Sequence, residues 1–179
     1  SLALDFEHRR TEASIGDDVA LTQAGAVTLT AVSDHRVTTE AGAGAGGATA
    51  LGGALALSIV NHEAVAAIGE AGSQELLTVG SLDALASQHS ESSTVADGTV
   101  HGTGSAAVGA ALGLNIVDQT TTATTGRDLS ATAGGVSLRA EAYSGTNAGA
   151  TASATGADKD AGDGTADGQL YKELNGPGS

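Results

Sequence analysis

The sequence predicts an all-β chain wound as a β-solenoid (β-helix), with rungs of about 27 residues grouped into composite repeats of about 55. Three observations lead there. The first is composition. Of 179 residues, 36 are Ala and 27 are Gly, so about a third carry one side-chain carbon or none. Leu, Val, Ile and Phe sum to 34, or 19%, which is too few for a thick aliphatic core and lies at the edge of disordered compositions. The second is internal repetition. Residues 3–16, ALDFEHRRTEASIG, match residues 56–69, ALSIVNHEAVAAIG, without a gap, and GLNIVDQTTTATTG (113–126) follows the same pattern, at offsets of 53 and 57. Gly25, Gly80 and Gly135 each precede a strand-like run, AVTLTA, SLDALA and VSLRA, at steps of 55. The third is alternation of apolar and polar residues with period two, the signature of a pleated strand.

In chain order, Leu2, Leu4 and Phe6 share one face of the first run, and VTLT (27–30) carries the β-branched residues that suit a strand. The tract from Ala48 to Gly72 is alanine-rich and could favour helix. Six glycines between Gly42 and Gly53 argue against that, and strand is predicted there. Leu55, Leu57 and Ile59 repeat the first pattern, TTTATT (120–125) repeats the β-branched one, and Val136, Leu138 and Ala140 alternate in the last. A finer period is suggested by His8, His35, His62 and His89, each 27 residues apart. The gap-free alignment nevertheless pairs His8 with Asn61, so either a bulge corrects the register or part of the histidine spacing is coincidence. Six rungs spaced by about 4.8 Å would make a rod of order 30 Å. Ala and Gly are expected to face inward so that opposite walls approach closely, with Leu, Ile and Val filling the wider parts. Asp17, Asp18, Glu40, Glu70, Glu75 and Asp97 are expected in or beside turns. The repetitive region covers residues 1–157, with repeat boundaries near 16, 69 and 126, and residues 158–179 form an acidic Gly/Asp segment and tail.

Units of the form G-x-V-x-L-x-A, a Gly/Ala tract, A-L-x-I-V-x-x and A-x-I-G occur here as Ala26–Ala31, Ala41–Ala54, Ala56–His62 and Ala66–Gly69. From about Ala3 to Ala157 this pattern resembles the repeats of very large bacterial filamentous adhesins, the leukotoxin-like and haemagglutinin-like surface proteins. The resemblance implies a secreted, non-enzymatic wall or fibre segment on the bacterial cell surface, and it transfers no catalytic residue.

The charge balance bears on partners. Seven Lys and Arg against 21 acids give a net charge of −14, so there is no basic stripe to neutralise phosphates and nucleic-acid binding is not expected. Without cysteine there is no disulfide, thiolate metal site or thiol nucleophile. The opening SLALDFEHRR does not read as a signal peptide, and residues 41–62, though short of charge, hold too many glycines for a membrane helix. The clearest chemical motif is DKDAGDGTADGQ, in which Asp158, Asp160, Asp163 and Asp167 are candidate oxygen ligands for Ca²⁺. It resembles calcium repeats of the thrombospondin type 3 style, but an extra residue precedes the Gly162–Asp163–Gly164 turn and Gln169 replaces the twelfth-position Glu. The segment is therefore either a calcium loop or a solvated acidic linker.

Stacked histidines would present imidazoles suited to zinc or copper, against the plainer reading of polar strand ends. Arg9, Arg10 and Arg36 form the only basic cluster. A 27-residue rung would stack Arg9 on Arg36, with Glu7, Glu12 or Asp34 as surface partners. No groove of clustered carboxylates is expected, hence no enzyme. Ice binding fails because Thr28 and Thr30 give way to Ser81 and Asp83, then Ser137 and Arg139. Two functions remain: a stiff rod that associates with itself head to tail, or a module that binds glycan or a cell surface through its turns. With two Tyr, one Phe and no Trp there is little aromatic platform for sugars. Association is expected through the first run at Leu2–Phe6, with Leu170, Tyr171 and Leu174 as a partial cap or docking segment.

Overall fold

A computed structural model describes residues 1–69, 76–152 and 154–155. Among them the chain is all-β, with eight strands: β1 (Leu2–Ile15), β2 (Ala24–Gly42), β3 (Ala45–Ile68), β4 (Leu77–Asp97), β5 (Val100–Thr125), β6 (Leu129–Ala131), β7 (Val136–Thr151) and β8 (Ala154–Thr155). Ala48–Ile68 is strand, as its glycines predict.

Every pairing is parallel, and none joins strands that are consecutive in the chain. One sheet, the odd sheet after its three long strands, is ordered β1-β3-β5-β8, and the other, the even sheet, is ordered β2-β4-β6 with β7 also beside β4. The chain thus passes alternately through two facing sheets. The repeat offsets reappear as hydrogen-bonding register. Ala3 lies beside Ala56 and Ala56 beside Gly113, at steps of 53 and 57, and Thr28 lies beside Asp83 at a step of 55. The step between β3 and β5 changes from 55 to 57 at an irregularity between Gly47 and Thr49. Beside β4 the step is 52 for β6 and 54 for β7, so residues 132–135 form an offset rather than a continuous strand.

The expectation of a 27-residue step between stacked neighbours is corrected. Hydrogen-bonded neighbours are 52 to 57 residues apart, and 27 separates strands in opposite sheets. Three long levels are stacked, with the two-residue β8 opening a fourth, where six rungs were expected; the three span about 10 Å at a spacing of about 4.8 Å. A 24-residue strand such as β3 would extend about 80 Å if straight. The described region is therefore wide and flat.

The faces follow the expectation of small inward residues, with Leu, Ile and Val in the wider part. Leu2, Leu4 and Phe6 point outward and are 62, 52 and 66% exposed, while Ala3, Asp5 and Glu7 turn toward the interior. Inward positions carry small residues because the two sheets lie close together. The interior is graded along the strands. At one end Leu29, Ile68, Leu77, Val79 and Leu82 pack with Ala66, Ala84 and Ala86. At the other end Ala41, Ala54, Ala56 and Ala96 suffice. Between them the interior is polar, with Ser33, Ser58, His62, Gln88, Ser90 and Ser92 buried.

Two glycines and one arginine fix the ends of this wedge. Gly16, Gly69 and Gly126 follow the three long strands of the odd sheet, and their stacking continues the ladder through Gly69 N–H to Ile15 C=O (2.8 Å) and Gly126 N–H to Ile68 C=O (2.9 Å). Gly69 has φ +63°, and a Cβ there would lie 2.4 Å from the Arg127 side chain. Buried Arg127 runs through that space and donates from Nη1 to the carbonyls of Val19 (2.7 Å) and Gly16 (3.3 Å), tying the third turn to the first. At Gly113 an added Cβ would lie 2.4 Å from the Gly149 carbonyl, so β5 and β7 approach too closely for any side chain.

Gly113→Val should therefore destabilise the chain by about 1–3 kcal/mol through overpacking. Gly53→Val, where nothing lies within 4 Å of the added Cβ, should cost about 0.5 kcal/mol or less. Chemical unfolding of the two variants beside the parent checks the difference.

Candidate functional site

The outer faces of the two sheets differ. On the odd sheet, register places Leu2, Leu55 and Leu112 in one row, Leu4, Leu57 and Leu114 in the next, and Phe6, Ile59 and Ile116 in a third. Eight of these nine are at least 36% exposed, and Leu57 is half-buried. Past the small outward row of Gly53 and Ala110, Leu51 lies beside Val108, 78 and 58% exposed. This is a continuous apolar patch on a flat sheet, of the kind that marks an interaction surface. On the even sheet the corresponding rows are polar: Thr28, Asp83 and Ser137; Thr30, Leu85 and Arg139; Asp34, His89 and Tyr143. The threonine row is broken, as expected, although Thr28 meets Asp83 rather than Ser81. An open hollow of about 320 Å³ lies on this side near Arg36, Glu91 and Asn147.

The basic residues do not stack on one another. Arg9 lies beside His62 and Arg36 beside Glu91 in register, so the expected Arg9–Arg36 column is absent. Each instead pairs with acid: Arg9 Nε to Glu7 Oε1 at 2.9 Å, Arg10 to Glu12 (3.0 Å) and Glu63 (2.8 Å), and Arg36 with Glu91. These pairs are largely exposed, so solvent screening leaves them little weight in stability. The Arg10 guanidinium is held above its usual pKa by the hydrogen bond to Glu12 and the charge of Glu63. The Glu12 carboxyl is held below the usual range by a bond to Ser14 and by Arg10. Asp97 sits at a turn as predicted. Its carboxylate accepts from the Thr99 hydroxyl and from the Thr99 N–H (3.0 Å), which lowers its pKa. Asp17 and Asp18 also lie in a turn, whereas Glu40 is an outward residue near the end of β2. Glu70 and Glu75 lie outside the described residues.

The histidine row divides. His8 pairs with Asn61 without a bulge, so part of the 27-residue spacing is coincidence. His8 and His89 face outward, and His89 meets Tyr143 edge-on at 4.7 Å. His35 and His62 both face the interior from opposite sheets, their ring centroids 4.2 Å apart. His62 is fully buried. Its Nδ1 lies 3.1 Å from Ser90 Oγ, and its Nε2 lies 3.4 Å from Glu7 Oε1. Glu7, His35 and His62 bring one ligand atom each to within 4.8 Å of one another. Further along the interior, Ser92 donates to Asn115 Oδ1 (2.9 Å) and Thr121 to Gln88 Oε1 (3.2 Å), joining the sheets by side-chain hydrogen bonds. The sequence pointed to His35 and His62 through their spacing, but Glu7 entered only as a partner for arginine. Its inward position became visible with the register.

The four aspartates of the calcium motif, Asp158, Asp160, Asp163 and Asp167, lie outside the described residues, as do Leu170, Tyr171 and Leu174. Among the described residues no helix is long and apolar enough to cross a membrane. Comparison of the chain with family models, curated proteins and solved structures found no match.

Burial, then the neighbouring His35, push the His62 pKa below its ordinary value, and Arg9 adds to this. Glu7, by its bond and its charge, opposes them. The unfolded chain binds a proton at this residue near pH 6.5, and the native chain binds it less readily. Protonation therefore favours unfolding, and stability falls as pH drops below about 6.5. His62→Gln should remove part of the decline in melting temperature between pH 7.5 and 5.5, the other four histidines being common to both chains. An equal decline in the two chains would contradict the assignment.

Proposed function

We propose that the chain is a structural repeat segment of a bacterial surface filament or adhesin, folded as a β-solenoid and acting as a stiff extracellular element that associates along its axis. One observation carries this reading: each level of strands offers the next a parallel ladder in the same register. Such a stack is extended by repetition, its stability growing nearly linearly with the number of levels. The alternation of chain passes between two facing sheets supports the solenoid description, and the Gly/Ala repeat pattern supports the adhesin class. No catalytic arrangement is part of the proposal.

Among the described residues β1 is an edge strand paired only with β3, and its outer edge is the contact surface for axial growth. The Ser1 carbonyl accepts from Leu55 N–H (3.0 Å) and the Ile15 carbonyl from Gly69 N–H (2.8 Å). Odd-numbered residues of β1 thus bond toward β3, and even-numbered ones, Leu4 among them, direct their backbone groups the other way. An unpaired parallel edge of this length is a template for a further level, supplied by neighbouring repeats or by another copy. Leu4→Pro removes one outward donor and no bond to β3. It should reduce the weight-average mass in sedimentation while the β circular dichroism signal persists. An unchanged size distribution would contradict axial stacking.

A second reading, a module that recognises glycan or a cell surface, is favoured by the apolar patch of the odd sheet and the hollow beside Arg36. In this reading recognition would use the sheet faces as well as the turns. A glycan array that stays blank supports the structural role, and a reproducible signal favours the binding role. In either reading the aspartate segment 158–167 is proposed as the calcium-responsive part, and protease digestion with Ca²⁺ and with chelator tests it.

A further inference from the structure

We propose that Glu7, His35 and His62 form a binding site for a divalent transition-metal ion of the zinc class, and that the bound ion clamps the two sheets together. The argument begins with the donor set. Two imidazoles and one carboxylate suit Zn²⁺ and its neighbours, whereas Ca²⁺ and Mg²⁺ prefer oxygen alone. The spacing agrees. Ligand bonds of about 2.0–2.1 Å in tetrahedral geometry put neighbouring ligand atoms roughly 3.3 Å apart. His62 Nε2 and Glu7 Oε1 are already 3.4 Å apart, and all three ligand atoms lie within 4.8 Å of one another. Glu7 and His35 are half-buried at the first level of their sheets, which leaves their side chains room to close the remaining distance.

The surroundings support a ligand role more than a packing one. The second nitrogen of His62 lies 3.1 Å from Ser90 Oγ, an outer contact that fixes the ring and its tautomer. Ser90 is itself the register neighbour of His35, so one level beneath the site orients the imidazole at its centre. Beside buried Val37, Val60 and Ala64 the surroundings of the pair include polar groups, and Ser33 Oγ and Gln119 Nε2 are buried there without a protein partner. Gln119 stands next to His62 in register. Glu7 also accepts from Arg9, but a carboxylate has four lone-pair sites and accommodates both an arginine and an ion. The three ligands come from β1, β2 and β3, which span both sheets and two levels of one. An ion there adds a bond between sheets that are otherwise joined by side-chain packing and side-chain hydrogen bonds.

The test uses the whole chain, stripped with chelator and titrated with Zn²⁺ in competition with a chromophoric indicator. The parent is expected to bind one equivalent at this site and to melt at higher temperature as free Zn²⁺ rises. Glu7→Gln and His35→Gln are each expected to weaken that binding at least about tenfold. His8→Gln and His89→Gln, on the outer faces, are expected to leave it unchanged. In the unsubstituted chain, Zn²⁺ should shift the ring ¹⁵N resonances of His35 and His62 and leave those of His8 and His89 in place, a readout that does not depend on any variant folding. Absence of binding by the parent overturns the proposal. So does zinc binding that survives in Glu7→Gln and His35→Gln, or resonance shifts confined to the outer histidines.

Discussion

The separation between the two facing sheets is the constraint on which the rest of the structure depends. Parallel ladders at a fixed register place equivalent residues above one another, so each inward column must fit the same gap at every level. At the narrow end the columns are Ala3, Ala56 and Gly113, and the last of these cannot tolerate even a methyl group. At the wide end Ile15 and Ile68 occupy the inward column, with Leu29, Leu77 and Leu82 across from it. A chain that is one-third Ala and Gly meets this requirement, and the scarcity of aromatic residues follows from the same gap.

Filling the interior with small groups has a consequence for the outside. Because the pleat alternates, the large apolar residues of the odd strands are directed outward, in rows that register aligns across three levels. The even sheet is polar on the equivalent surface, with paired charges such as Arg36 and Glu91. The molecule is thus two-sided, and the apolar side is a natural place for contact with another surface. The middle of the interior is the exception to dry packing. There Ser, Thr, Gln and His side chains form cross-sheet hydrogen bonds, while Ser33, Ser58, Thr39 and Thr94 hydroxyls stay without protein partners. Buried polar groups of this kind cost about 1–3 kcal/mol each when unpaired, so stability rests on the ladders and the two apolar ends.

Much of the architecture was legible because register is recorded in repetition. The gap-free match of residues 3–16 with 56–69 is the β1–β3 ladder, and the glycine step of 55 is the β2–β4 ladder. What periodicity leaves open is which parity faces in. Leu2, Leu4 and Phe6 share one face, and the narrow gap turns that face outward. The signal lay in the other parity, where Ala3, Ala56 and Gly113, and again Ala13, Ala66 and Ala123, stay small in all three passes. The histidine period misled for a related reason. His8 and His62 have opposite parity in a bulge-free ladder, so equal spacing in sequence does not place them on one face. The interior cluster was half legible: His35 and His62 stood out, but Glu7 joins them only once β1 is laid beside β3.

The in-register step between levels is the central claim, and a chain without cysteine allows it to be measured directly. Leu57→Cys combined with Leu114→Cys places two thiols on one outward row of neighbouring strands, within the Cα separation that a disulfide requires. Leu57→Cys combined with Ala84→Cys sets the same first thiol 27 residues from the second, on a strand of the other sheet and facing its interior. Under mild oxidation, mass spectrometry should find the intramolecular disulfide in the first pair and free thiols in the second. A disulfide in the 27-residue pair, with none in the 57-residue pair, would contradict the account.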